Sequence, residues 1–125
     1  MAVRRYSSIS VETTLASGIS NSATTMSVAT ATGATLIQGS GFTNGDQFTV
    51  AIDPDTSNEE IVFITARTSD TFTITRGRAG SSAVAHSAGA TVQHVLTSDD
   101  LDYFNNAIQS AVALPGTPTV DGGTP

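Results

Sequence analysis

The tightest constraint on this chain is a run in which apolar and polar residues take turns. Residues 71–75 read Thr-Phe-Thr-Ile-Thr, which puts Phe72 and Ile74 on one side of an extended backbone and Thr71, Thr73 and Thr75 on the other. Residues 60–65 come close to the same alternation. A period of two is the mark of a half-buried strand. Only Arg67, Thr68, Ser69 and Asp70 separate the two runs, so an antiparallel hairpin is predicted. Arg76-Gly77-Arg78-Ala79-Gly80 then reads as a loop, because glycine admits positive φ at little cost. Small residues from 81 to 90 lead to a further strand over residues 91–96.

The same period recurs upstream. In an extended chain Val11, Thr13 and Leu15 share a face, Met26 and Val28 share another, and Phe48, Val50 and Ile52 a third. Turn chemistry brackets the last of these, with Asn44-Gly45-Asp46 before it and Asp53-Pro54-Asp55 after it. Residues 30–45 are rich in small side chains and are expected to form a surface excursion anchored by Leu36, Ile37 and Phe42. About six short strands at close spacing predict a mainly β fold, a small antiparallel barrel or sandwich.

Two segments break the pattern. Residues 1–10 have few apolar residues and no helical period, and are expected to form an extended N-terminal arm ordered by a neighbouring subunit. Residues 98–114 carry the one expected helix. Ser98 is a suitable N-cap, Asp99, Asp100 and Asp102 put negative charge on the first turn, and Leu101, Phe104, Ile108, Ala111 and Val112 follow helical spacing. The expected organisation is an arm at 1–10, a β domain at 11–97, a helix at 98–114 and a tail at 115–125 that is flexible or ordered by a partner.

Composition narrows the function. Ser and Thr supply 35 of 125 residues while Lys, Trp and Cys are absent, which favours strands and turns over helices. A hydrophobic share of 38% implies a thin core and help from neighbouring subunits. The formal charge of −6 opposes binding to nucleic acid. Without cysteine there is no disulfide framework and no thiolate metal site. No apolar run approaches the roughly 20 residues that span a bilayer, and no signal-peptide core stands at the start, so a soluble protein made in a cytoplasm is expected.

Catalytic and metal chemistry find little footing. No serine lies in a nucleophile-elbow pattern, and His86 and His94 are too far apart for a helical metal pair. His86 and Arg76 are therefore expected to be structural. The acidic residues Asp53, Asp55, Glu59 and Glu60 resemble the start of a calcium loop, but Asn58 stands where the loop needs glycine and Ile64 where it needs glutamate. No catalytic residue, metal ligand or cofactor site is predicted. The candidate partner-binding residues are Arg4, Arg5 and Tyr6 on the arm and Leu101, Phe104, Ile108 and Val112 on the helix.

One resemblance bears on these expectations. The strand begun by Glu59-Glu60, the Thr-Phe-Thr-Ile-Thr-Arg-Gly strand and turn, Ala85-His86-Ser87-Ala88-Gly89-Ala90 and a closing Val92 resemble a small β module of structural proteins in tailed bacteriophages. The likeness also takes in Val11 to Leu15 and residues 22–28, so it spans roughly residues 10–100. It implies a non-enzymatic virion protein made in the host cytoplasm. An accessory or minor tail component is expected first, a head decoration or cement protein next, and a host-glycan-binding module last. The implied partners are other tail or capsid subunits; the apolar stripe of the helix adds copies of the chain itself, as a trimer, and the charge and hydropathy leave neither nucleic acid nor membrane insertion expected.

Overall fold

A computed structural model describes residues 3–7 and 11–112. The chain divides into two compact units, Met1–Val95 and Leu96–Pro125. The first is a curled sheet. Its strands in chain order are β1 (Arg4–Arg5), β2 (Glu12–Thr14), β3 (Thr25–Ser27), β4 (Gln47–Ile52), β5 (Glu60–Thr68), β6 (Thr71–Arg78) and β7 (Thr91–His94). Six of them follow the spatial order β2-β7-β4-β5-β6-β3, every pair antiparallel, and β1 adds to β4 in parallel. The sheet curls until its two end strands meet at one bridge, Leu15 to Val28, flanked by bonds from Ala16 N to Ser27 O and from Ala29 N to Thr14 O. The fold is thus mainly β and barrel-like, as the alternation predicts.

Period two explains the inside of the curl. Met26, Val28, Phe48, Val50, Ile52, Val62, Ile64, Phe72, Ile74 and Val92 belong to one buried cluster, each almost wholly removed from solvent. On the outer face of β5, Phe63 is only 1% exposed. The guanidinium carbons of Arg4 and Arg78 lie 4.6 and 5.1 Å from its ring centroid, where the cations meet the ring quadrupole and their stems shed water from it. The hairpin is tighter than four loop residues imply. Pairing continues to Thr68 opposite Thr71, leaving Ser69 and Asp70 as a two-residue turn with Ser69 at φ 54°.

The excursion over residues 30–45 is not wholly superficial. It contains a short helix, α1 (Gly33–Leu36), whose Leu36 is fully buried, with Ile37 and Phe42 packed against the core. The hairpin turn holds this helix in place, because the Asp70 carboxylate accepts bonds from the amides of Ala31 and Gly33, both at 2.9 Å. Those backbone bonds, that from Ala31 foremost, also lower the Asp70 pKa. Gly33 is required there, since a Cβ would stand 2.3 Å from the Ser69 carbonyl oxygen.

The described part of the N-terminal arm docks on its own domain instead of waiting for a neighbour. Arg4 pairs with Gln47 and Arg5 with Phe48, and Gln47 N donates to Val3 O. Arg5 Nε is 2.8 Å from Asp46 Oδ2, a contact that lowers the Asp46 pKa. Residues 8–10 lie outside the described residues.

The second unit holds α2 (Ser98–Val112). Its cap is Thr97 and not Ser98. Asp100 N donates to Thr97 Oγ1, while Asp100 Oδ2 accepts from Thr97 N and Thr97 Oγ1. This reciprocal arrangement is a capping box with aspartate at its third helical position. The expected tail at 115–125 lies outside the described residues.

Candidate functional site

Each end of the curled sheet is closed by a histidine, and the two do so by different chemistry. Glu60 is in phase with Val62 and Ile64, and Arg76 with Phe72 and Ile74, so both charged side chains turn to the core side. Glu60 is fully buried. Arg76 Nε and Nη2 donate to its two oxygens, both at 2.8 Å, and the amides of Gly77 (2.9 Å) and Val84 (3.2 Å) add two more bonds. Arg76 Nη1 donates to Ser20 O and Ala23 O, and Nη2 also reaches Val84 O. His86 completes the group, with Nε2 2.9 Å from Glu60 Oε1 and Nδ1 2.8 Å from Asp53 Oδ2. Burial pushes the Glu60 pKa upward, and the bonds from Arg76, His86, Gly77 and Val84 outweigh it, holding the carboxyl down at about 2. The cluster ties β5 and β6 to residues 19–23 and 84–86.

At the opposite end His94, in phase with Val92, stacks on Phe48 with ring centroids 4.1 Å apart, and Phe42 meets Phe48 edge-on. His94 Nδ1 lies 2.7 Å from the Thr49 carbonyl oxygen, and Ser7 N donates to Nε2. This bond secures the chain just after β1.

Beside the ionic end lies a depression of about 390 Å³ lined by Asp53, Thr56, Asn58, Ala85 and residues 87–90. Ser87 lines it next to His86, yet both His86 ring nitrogens face carboxylate oxygens. The imidazole therefore has no nitrogen to offer Ser87 as a base. The acidic loop residues are also dispersed, Asp53 bound to His86 and Glu60 to Arg76, with Asp55 and Glu59 exposed. Among the described residues no three His, Asp or Glu side chains are placed so that they could hold a metal ion together, and no helix is long and apolar enough to cross a membrane.

The predicted partner-binding residues fall into two groups that the fold treats differently. Arg4 and Arg5 are engaged with their own sheet, and Tyr6 follows them at intermediate exposure. Leu101, Phe104 and Ile108 share one face of α2 and are 54%, 51% and 42% exposed. Val112 ends that helix, and its side chain lies outside the described residues. Leu96, just before the helix, is 62% exposed as well. Sequence reading named Arg76 and His86, and Glu60 only as part of the acidic loop, not as their partner. The signal was present: Glu60 and Arg76 are opposite charges, each in phase with the apolar residues of its strand, and so must meet inside or not be buried at all.

No family model matches the chain, and no curated protein matches it either.

Proposed function

We propose that the protein is a non-enzymatic assembly module, an accessory tail component of a tailed-phage particle, that associates through the apolar face of α2. The observation that carries the reading is the row of Leu101, Phe104 and Ile108, half-exposed on a well-capped helix. Three large apolar side chains in one stripe are a surface that association buries, at about 1.5–3 kcal/mol for each one fully covered. The polar chemistry of the β unit supports the same reading, because Arg76, Glu60 and His86 are used up in holding loops together. The resemblance of residues 10–100 to virion β modules supplies the phage setting. Copies of the chain, as a trimer, are the proposed first partners, and neighbouring tail subunits the next.

The test is labelling of purified particles with an antibody to the chain, viewed by electron microscopy. Label on the tail supports the proposal. Label over the head replaces it with a capsid decoration role, and absence from particles overturns the virion assignment. Glycan cleavage by the purified protein, lost in a His86→Gln variant, overturns the non-enzymatic reading.

A further inference from the structure

The turn before β4 holds the one Asn-Gly pair of the chain. Asn44 is exposed, and Gly45 sits at φ 100° with open space where a Cβ would stand. No side chain shields the Gly45 nitrogen from the Asn44 carboxamide, and glycine leaves the backbone free to bring the two together. The other asparagines precede Ser22, Glu59, Asn106 and Ala107, all of which carry a Cβ.

In the folded chain both groups are occupied. Gly45 N donates to Thr65 O at 2.9 Å, and Asn44 Oδ1 accepts from Arg67 N at 3.0 Å. The turn is thus stitched to the far half of β5 by the two groups that would react with each other. The same turn carries β1. Asp46 Oδ2 accepts from Thr43 N (3.0 Å), Thr43 Oγ1 (3.2 Å) and Arg5 Nε (2.8 Å), Asp46 N donates to Thr43 O, and beside it Gln47 N donates to Val3 O.

We infer that Asn44 is a site of spontaneous deamidation, gated by lift-off of the turn from β5, and that its isoaspartyl product releases β1. Freed from Thr65 O, Gly45 N loses its proton to hydroxide and attacks Asn44 Cγ. The N–Cγ bond forms, the Cγ–Nδ2 bond breaks, and Nδ2 leaves as ammonia with a proton from water. Water then opens the succinimide ring. Cleavage of the N–Cγ bond gives aspartate and cleavage of the original peptide bond gives isoaspartate, so one water is taken up and one ammonia lost, with no oxidation or reduction. Isoaspartate routes the backbone through Cγ and adds one carbon between Thr43 and Gly45. The bonds between Thr43 and Asp46 span only this turn, so the added carbon breaks their register and takes Asp46 away from Arg5.

The test is incubation of the full chain in mildly alkaline buffer, folded or in guanidinium chloride, with products located by tandem mass spectrometry and the isoaspartyl fraction separated by ion exchange. In guanidinium Asn44 should deamidate before every other asparagine. In the folded chain it should react about tenfold to a thousandfold more slowly, and this slowing should match the exchange protection of the Gly45 amide to within about threefold, because one opening exposes both. The isoaspartyl fraction should lose roughly tenfold in protection at the Gln47 amide while β5 and β6 keep theirs. Freshly made Asn44→Asp, whose carboxylate still accepts from Arg67 N, should keep Gln47 protected, which separates the extra backbone carbon from the extra charge. The inference is overturned if another asparagine reacts first, if the folded rate falls outside this range or departs from the Gly45 protection, if the isoaspartyl fraction holds Gln47 as the unmodified chain does, or if Asn44→Asp releases it equally.

Discussion

The β unit and α2 carry apolar patterns of equal regularity and treat them in opposite ways. Along β4, Phe48, Val50 and Ile52 are wholly buried, whereas on α2 Leu101, Phe104 and Ile108 leave about half of each side chain in water. The β unit finds an interior for its pattern by curling one sheet on itself. The helix stripe has no such closure. Periodicity therefore reports which face is apolar, and burial reports whether the chain itself has used that face or left it for association. If this contrast is right, damage to the β unit costs stability and damage to the stripe costs assembly.

The largest effect is expected at the ionic end. Replacing Arg76 by Leu strands a buried carboxylate and should cost about 3–5 kcal/mol, read as a lower urea midpoint. Restoring neutrality with Glu60→Gln in the same chain should recover part of the loss. Equal stability of Arg76→Leu and wild type would mean that the cluster does not hold the fold.

Acid sharpens the same point. The folded Glu60 value of about 2 lies below its ordinary 4.5, so its contribution is complete above about 4.5 and is lost as pH falls towards 2. The difference corresponds to roughly 3 kcal/mol. Denaturation midpoints should fall through this window in wild type and less steeply in Glu60→Gln. Parallel curves would assign acid sensitivity to other carboxylates.

Gly33→Ala tests the contact between hairpin turn and α1. Its Cβ would meet the Ser69 carbonyl at 2.3 Å, and displacing backbone on this scale should cost about 1–3 kcal/mol. Calorimetry should show a lower melting temperature. An unchanged one would show that the turn moves aside freely.

These tests also mark what was legible. Residues 47–52 and 71–75 announce their strands because each second residue is apolar, and the capping box was written in Thr97 and Asp100 although Ser98 stood closer to the aspartates. The pairing of β1 was not legible, since Arg4-Arg5 has no alternation and is placed by contacts with Asp46, Gln47 and Phe63, more than forty residues away. The closure through Leu15 and Val28 is likewise a consequence of sheet curl, which no local pattern encodes. The core anchors Met26, Val28, Phe72 and Ile74 follow from phase alone. Asp53, Glu60, Arg76 and His86 come together only when β4, β5 and β6 are in register.

The smallest effect on stability, and the most direct test of the central contrast, belongs to the stripe. In Phe104→Ser/Ile108→Ser the β signal by circular dichroism and the urea midpoint should stay within about 0.5 kcal/mol of wild type. Sedimentation equilibrium of both proteins is the deciding measurement. Wild type should sediment as an oligomer, with a mass near that of a trimer, and the double variant as a monomer. A wild type that remains monomeric at high concentration, with a variant that loses its β signal, would contradict the account and make α2 a part of the β unit's own core.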